Sequence, residues 1–215
     1  MQITRINPVT YSYSRPKIQK PAFLGYKDIK SDEDKILFDK ILRLHINHNS
    51  TLATSCKKEA VNVNGNKLTL VSYDNGFYVL KSGIGDIKAT MSLGIQESKT
   101  KGCLSDFYSD NNGAVQIKGL YSKGNGAGKE MIRQAVKKSF ELGYEGRVII
   151  FACNIFEKAG SPIPFYNKLG FRAFYPEEQS RIDKEIQRYE KTGKDIDIEG
   201  VFMYLDPEKI KEYLN

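Results

Sequence analysis

The strongest constraint on the fold of this chain is a strand, a glycine-rich loop, a helix and a second strand in direct succession. Ala114–Ser122 is a strand candidate, and the loop Lys123–Lys129 after it carries three glycines at alternating positions. An amphipathic helix is predicted from Lys129 to Leu142, with Gly143 as its C-cap. Arg147–Cys153 is a nearly continuous apolar run, typical of a buried strand parallel to its predecessor. The unit predicts a right-handed crossover.

Further helices and strands are predicted on both sides of this unit. They are a helix that begins after Ser31 and runs to about Asn49, strands Leu68–Tyr73, Phe77–Lys81, Lys88–Gln96, Cys103–Ser109, Phe171–Phe174 and Gly200–Leu205, helices Pro162–Leu169 and Pro176–Thr192, and a terminal helix capped at Asp206. Turns at 74–76 and 110–113 join the middle strands as hairpins. We therefore predict an α/β fold with a mixed, twisted central sheet flanked by helices on both faces.

The chain begins with a segment unlike the rest. Residues 1–26 contain no acidic residue and carry Pro8, Pro16 and Pro21, and prolines at that spacing block a long helix. We predict a flexible or partly docked N-terminal arm over residues 1–26 and one domain over residues 27–215.

Composition narrows the class of protein. With 40% hydrophobic and 11% aromatic residues, the chain is expected to fold as a globule rather than to stay disordered. No apolar run reaches the roughly 18 residues that span a bilayer, and no signal peptide is evident, so a cytoplasmic location is expected. The three cysteines lack a C-x-x-C pair, which argues against a zinc ribbon and a disulfide framework.

The net charge of +7 favours an anionic partner. Basic and acidic residues are interleaved, without the lysine–arginine block of a nucleic-acid-binding arm, so nucleic acid is the less favoured partner and no membrane partner is predicted. His45 and His48 stand three residues apart on the first predicted helix, but no third ligand is near, and no metal site is predicted.

The glycine-rich loop has the chemistry of a phosphate site. A helix N-terminus exposes unpaired N–H groups and a partial positive charge, and glycines let a phosphate approach the backbone. A merely structural turn is the alternative. A Walker A loop is excluded because Lys123 stands at its first glycine and Glu130 at its Ser or Thr, and the dinucleotide fingerprint fails because Lys129 stands at its last glycine.

Two segments resemble the GNAT superfamily of acetyl-CoA-dependent N-acetyltransferases. Lys123–Gly128, with the sequence K-G-N-G-A-G, is similar to that family's pyrophosphate loop, with Lys in place of Arg or Gln at the first position. Phe165–Phe171, with the sequence F-Y-N-K-L-G-F, is similar to the family's F-Y-x-K-L-G-F segment. The two segments occur in the family's order, and the resemblance covers about Leu104–Phe174 well.

The resemblance implies a GNAT-like acyltransferase fold and direct attack of an amine on the thioester of acetyl-CoA, without a covalent enzyme intermediate. It implies backbone N–H groups of Asn125–Lys129 on the pyrophosphate and backbone of Ile117–Tyr121 along the pantetheine, with a bulge at Gly119. The cofactor-binding residues it implies are Ile117, Gly119, Leu120, Tyr121, Lys123, Gly124, Asn125, Gly126, Ala127, Gly128, Lys129 and Asn154. Tyr166 matches the tyrosine that protonates the departing thiolate.

The catalytic base and the acceptor stay open. No glutamate stands on Ala114–Ser122, where many members of that family place a base, so Asp106, a water-mediated base or no base are alternatives. The acceptor amine is a small molecule or a protein amino group. A binding module that holds acyl-CoA or a nucleotide without turnover is the alternative function. The sequence leaves open whether the chain forms a homodimer.

Overall fold

The computed structural model describes residues 31–83, 85–96, 113–153 and 161–214, together with the backbone of residues 23–25. Its strands are β1 (Phe23–Gly25), β2 (Cys56–Val63), β3 (Asn66–Tyr73), β4 (Phe77–Ser82), β5 (Asp86–Gln96), β6 (Ala114–Ser122), β7 (Val148–Cys153), β8 (Phe171–Ala173) and β9 (Gly200–Leu205). Its α-helices are α1 (Asp32–Thr51), α2 (Ala127–Glu141), α3 (Ile163–Lys168), α4 (Pro176–Thr192) and α5 (Pro207–Ile210), and a short 3-10 helix follows at Lys211–Tyr213.

The strands form one mixed sheet in the order β2-β3-β4-β5-β6-β7-β9-β8, with β1 added beside β6. Neighbours from β2 to β6 are antiparallel, and so are the pairs β7–β9 and β8–β9. β6 and β7 run parallel, connected through α2. The predicted α/β class, mixed sheet and parallel pair are confirmed.

Helices cover both faces of the sheet. Successive side chains of a strand point to opposite faces, and β4 separates them clearly. Tyr78 and Leu80 belong to the large core that also contains buried residues of α2, α3, α4 and α5. Phe77 and Val79 belong to a smaller core on the opposite face, against which Ile46 of α1 packs. Of the described α-helices, α1 therefore lies on one face and the other four on the opposite face.

Several boundaries follow directly from local chemistry. Ser31 accepts a hydrogen bond from the N–H of Asp34 and so caps α1, and Asp206 caps α5 in the same manner. Gly76 adopts a φ of 80° in the hairpin between β3 and β4, a conformation that glycine reaches without steric cost. Gly193 ends α4 with a φ of 67°.

The neighbour of β6 differs from the prediction. The hairpin partner predicted for β6, Cys103–Ser109, lies outside the described residues. In the structure β6 pairs along its whole length with β5 on one edge, from Gln96↔Ala114 to Ala89↔Ser122. β7 and β1 take up parts of its other edge. The predicted N-terminal arm is described only at residues 23–25.

Strand β2 is absent from the sequence prediction. It carries two lysines and a glutamate among its first four residues, and most of its side chains are exposed. As a terminal strand of the sheet it has only β3 as a neighbour, so it lacks the apolar alternation that identifies a half-buried strand.

Candidate functional site

β6 and β7 are paired only at their beginnings. Their register covers Val115–Ile117 against Val148–Ile150, although β6 continues to Ser122 and β7 to Cys153. Parallel strands that stop pairing leave a gap between their carboxyl ends. In open α/β sheets such a gap at the strand ends is the usual place for a ligand.

A bulge in β6 marks the point where the strands separate. On the β5 side, Ser92 is opposite Gly119 and Leu93 is opposite Ile117, so Lys118 has no residue opposite it. An extra residue of this kind bends its strand and increases the local twist. The bulge predicted at Gly119 lies one residue earlier, at Lys118.

The loop after β6 has an unusual backbone. Gly124, Asn125 and Gly126 have φ values of 87°, 54° and 83°, so three successive residues are left-handed. Only glycine, and to a lesser degree asparagine, adopts this conformation readily. A Cβ at Gly126 would also lie 2.6 Å from Nδ2 of Asn64, and that amide donates to the carbonyl of Asn125. The glycines are therefore required by the loop itself.

The loop presents unpaired donors at the start of α2. Its satisfied N–H groups are those of Lys123 (to Lys88 O), Gly124 (to Ser122 Oγ), Ala127 (to Gly124 O) and Glu130 (to Gly126 O). Within the described ranges, the N–H groups of Asn125, Gly126, Gly128 and Lys129 have no hydrogen-bond partner. Unpaired donors at the positive end of a helix dipole suit the oxygens of a phosphate.

At position 128, in the first turn of α2, there is little room for a side chain. A Cβ at Gly128 would lie 3.0 Å from Cζ of Phe165 and 3.3 Å from Oγ of Ser122. The first turn of α2 is thus held against α3 and against the end of β6. Glycine at position 128 is therefore required by this close packing, and the feature that fits a phosphate group is the set of N–H groups of the loop that have no hydrogen-bond partner among the described residues.

The two lysines of the loop differ in their surroundings. Nζ of Lys123 lies 2.7 Å from Oδ1 of Asp39 on α1, so a carboxylate offsets its charge. Lys129 is exposed, and its Nζ lies 5.9 Å from the ring centroid of Tyr213. Lys129 is therefore the loop cation placed to attract an anion from solvent.

A cleft of about 670 Å³ adjoins the loop on its β2 side. Basic and acidic residues of α2 line it together, opposite residues 59–64 and beside Glu212 and Tyr213: Gly126, Lys129, Glu130, Arg133 and Lys137. Arg133 is paired with Glu130 at 2.8 Å. The cleft has the size of a nucleotide site and begins at the glycine loop.

Tyr166 lies in the core beside the gap. It is 0% exposed, and its ring packs edge-on against Phe165 and Phe171 with centroid distances of 5.3 and 5.4 Å. Burial raises the pKa of its phenol well above the ordinary value, and the nearby Cys153 at the end of β7 adds to the effect. The phenol therefore stays protonated over the physiological pH range.

The opposite face of β6, toward α1, carries a second group of polar side chains. Nδ1 of His45 lies 3.1 Å from the hydroxyl of Thr90, and its ring lies 5.0 Å from that of Tyr121. Burial lowers the pKa of His45 to about 4, and His48 contributes to the lowering. His45 is thus neutral at pH 7 and stands next to Gly119.

Sequence reasoning considers His45 only as a metal ligand beside His48. The structure separates them, because His45 faces the sheet and His48 is exposed. Among the described residues, no cluster of three or more His, Cys, Asp or Glu is placed to hold a metal ion. The helical position of His45 on the buried side of α1 is the signal that could have assigned it to the sheet face.

β1 occupies part of the edge predicted for the cofactor. Phe23–Gly25 pairs in parallel with Leu120–Ser122, on the edge of β6 that does not face β5. Backbone groups that bond to β1 cannot bond to pantetheine at the same time. The predicted contacts at Leu120 and Tyr121 therefore coincide with a strand of the chain itself.

The predicted site residues fall into three groups. The loop residues Lys123, Gly124, Asn125, Gly126, Ala127, Gly128 and Lys129 are assembled at the end of β6. Ile117 and Leu120 are buried in the large core, whereas Gly119 and Tyr121 contact the α1 side. Asp106 and Asn154 lie outside the described residues.

No family model matches the chain, and it matches neither a curated protein nor a solved structure. Within the described ranges, no helix combines the length and the apolar character needed to cross a bilayer.

Proposed function

We propose that the chain is an N-acetyltransferase of GNAT-like fold that transfers acetyl from acetyl-CoA directly to an amine of a small molecule or a protein. One observation carries the proposal. A glycine loop with four N–H groups that have no hydrogen-bond partner among the described residues stands at the carboxyl ends of two parallel strands that separate after three paired residues. β1 takes up part of the edge of β6 there. The combination of loop and separated strands supports a ligand with a phosphate at one end and an extended chain at the other.

Each part of acetyl-CoA has a proposed contact. The N–H groups of Asn125, Gly126, Gly128 and Lys129 bind the pyrophosphate, and the cleft along α2 takes the nucleotide end. The pantetheine lies in the gap between β6 and β7 and leads the thioester toward the bulge. Acetyl-CoA supplies the activated acyl group, and the chain contributes proximity and polarisation.

Tyr166 is the proposed proton donor to the departing sulfur. Its phenol is fully buried near Cys153, at the carboxyl end of β7. Since burial keeps the phenol protonated, a proton is available where the thiolate forms. Asp106, the base suggested by sequence, lies outside the described residues and carries no part of the proposal.

Calorimetric titration of the purified protein with acetyl-CoA tests the proposal, repeated with Gly126→Glu. The new side chain would enter the space next to Asn64 and bring a carboxylate to the phosphate donors. We expect the intact protein to bind and the variant to lose binding. No binding by the intact protein would overturn the proposal.

Gly143→Glu is the matched control. Gly143 also has a positive φ, 79°, and lies at the other end of α2, where a Cβ would meet no atom of the described residues within 4 Å. The control therefore carries the same backbone strain and the same added charge, away from the loop. Equal loss of binding in both variants would count against the loop. If acetyl-CoA binds but no free CoA is released in the presence of any amine, the result would favour a non-catalytic acyl-CoA-binding module.

A further inference from the structure

We infer that the niche beside Gly119, on the α1 face of β6, holds the acceptor amine, and that Nε2 of His45 takes the proton which the attacking nitrogen releases. The inference rests on the proposed function, because it places the acceptor on the strand that would align the thioester. It assigns a catalytic base that the sequence does not reveal.

The niche exists because residue 119 has no side chain. A Cβ at Gly119 would lie 3.3 Å from Oγ of Ser92, 3.6 Å from Cε2 of Tyr121 and 3.7 Å from Nε2 of His45. Three side chains from β5, β6 and α1 thus surround the space that a methyl group would occupy. Two of them present a nitrogen and a hydroxyl to it, which suits a small polar group such as an amine nitrogen.

The niche lies at the point where the proposed donor would end. Gly119 follows the bulge residue Lys118, and β6 and β7 stop pairing after Ile117. An acyl group led along the gap would reach β6 at this position. The amine and the thioester would then both lie beside Gly119, which satisfies the requirement that reacting groups be held close together.

The hydrogen bond between His45 and Thr90 has one of two directions, depending on the imidazole tautomer, and the proposal uses the tautomer that carries its proton on Nδ1. Nδ1 of His45 lies 3.1 Å from Oγ1 of Thr90, which is completely buried. When Nδ1–H donates to that hydroxyl, the lone pair of Nε2 faces the niche. A neutral imidazole in this tautomer accepts a proton at Nε2 while Nδ1 holds the ring in place.

The surroundings keep the ring neutral. β4 contributes Phe77, whose ring lies 4.9 Å from that of His45, and β5 contributes the hydroxyl of Thr90. Tyr121 on β6 has a phenol pKa raised by burial and is uncharged at neutral pH. His48 on α1 disfavours a second positive charge. The imidazole of His45 therefore enters the reaction unprotonated across the physiological pH range.

In the proposed step the acceptor enters as a free amine. Its nitrogen forms a bond to the acyl carbon while the carbon–sulfur bond breaks, and sulfur leaves with the electron pair. As its lone pair is drawn into the new bond, the nitrogen becomes acidic and gives one proton to Nε2 of His45. The sulfur takes a proton from Tyr166 and becomes a thiol. Proton return to Tyr166 from His45, through solvent, restores both residues.

A bisubstrate conjugate tests the niche without knowledge of the natural acceptor. Its CoA sulfur is joined through an acetyl bridge to the nitrogen of butylamine, so the nitrogen is fixed where transfer would place it. Conjugates that resemble the transition state bind more tightly than substrates, and we expect a gain of at least about tenfold over acetyl-CoA by calorimetry. Gly119→Ala, which fills the niche, should remove the gain, so that this variant binds the conjugate no more tightly than it binds acetyl-CoA.

The chain contains two histidines, so the imidazole signals in an NMR spectrum are few. His48→Gln assigns them. We expect the conjugate to shift the His45 signal and to leave that of His48 in place. His45→Gln, which should fold normally by circular dichroism, should lose most of the gain in affinity for the conjugate.

The outcomes separate the two proposals. If acetyl-CoA does not bind the intact protein, the proposed function fails. If acetyl-CoA binds but the conjugate shows no gain, or if the gain survives in Gly119→Ala, the niche is not the acceptor site. If the gain is present and the His45 signal does not move, the assignment of His45 is overturned.

Discussion

The imidazole of His45 and the hydroxyl of Thr90 form a hydrogen bond of 3.1 Å between α1 and the sheet. α1 is the helix that covers this face of β4–β6, and the bond lies at its contact with the sheet. A titratable side chain is thus buried at a junction that the fold requires. The stability of the protein should therefore depend on pH.

Acidification should destabilise the protein through His45. Burial lowers its pKa from 6.5 to about 4, so the unfolded chain takes up the proton first as the pH falls. The contribution of neutral His45 is complete above pH 6.5 and is lost progressively toward pH 4. At about 1.4 kcal/mol per pKa unit, the total is on the order of 3 kcal/mol.

Urea unfolding measures this effect when it is repeated at pH values from about 7.5 to about 4.5, a range that contains most of the imidazole transition. Wild type should lose stability across that range more steeply than His45→Gln. His48→Gln should stay close to wild type, because His48 is exposed and is the smaller of the two causes of the lowered His45 pKa. Parallel pH profiles for wild type and His45→Gln would contradict the prediction.

Thr90→Val should destabilise the fold although it preserves the size of the side chain. The substitution leaves Nδ1 of His45 without its partner in a buried position, which costs about 1–3 kcal/mol. Thr90→Ser keeps the hydroxyl and loses only a methyl group, so it should cost less. The free energies of unfolding of the two variants test this prediction. A larger loss of stability in Thr90→Ser than in Thr90→Val would refute the role of the hydroxyl.

Lys129→Glu should weaken acetyl-CoA binding, given the proposed function. Lys129 is exposed at the start of α2, and charge reversal there opposes a pyrophosphate. We expect a loss of about tenfold or more at low salt that becomes smaller at high salt, because salt screens exposed charges. Lys191→Glu, in the last turn of α4, is the control. Equal effects of the two reversals would indicate only a general effect of net charge.

Deletion of residues 1–25 should tighten acetyl-CoA binding. The deletion removes β1 and frees the backbone of Leu120–Ser122 on the edge that faces the gap. Deletion of residues 1–22 leaves β1 in place and should bind as the full chain does. Calorimetry on the two truncated chains measures the difference, and identical affinities would show that β1 and acetyl-CoA do not share this edge.

The sequence predicts elements well where local chemistry determines them. α4 and β9 have the predicted bounds because Pro176, Gly193 and Gly200 mark their ends. The unit from β6 to β7 is predictable from an apolar strand, a glycine loop and an amphipathic helix. In each case the deciding residues are neighbours along the chain.

Features that depend on long-range packing escape sequence reasoning. The pairing of β6 with β5 brings together segments separated by residues 97–112, and no local signal specifies it. His45 becomes part of a polar group only when α1 docks across β4, β5 and β6. The niche at Gly119 likewise arises from three elements, so a glycine in a strand indicates only a bulge.

The pairing of β1 with β6 has a consequence for any ligand of that edge. β1 is joined to the domain through residues 26–30, so it cannot diffuse away, and its effective concentration at the edge is independent of how dilute the protein is. For short tethers such concentrations are on the order of millimolar. A ligand of the gap would therefore compete with β1 at every protein concentration. A partner that bound the N-terminal segment would remove this competition and increase the ligand's apparent affinity.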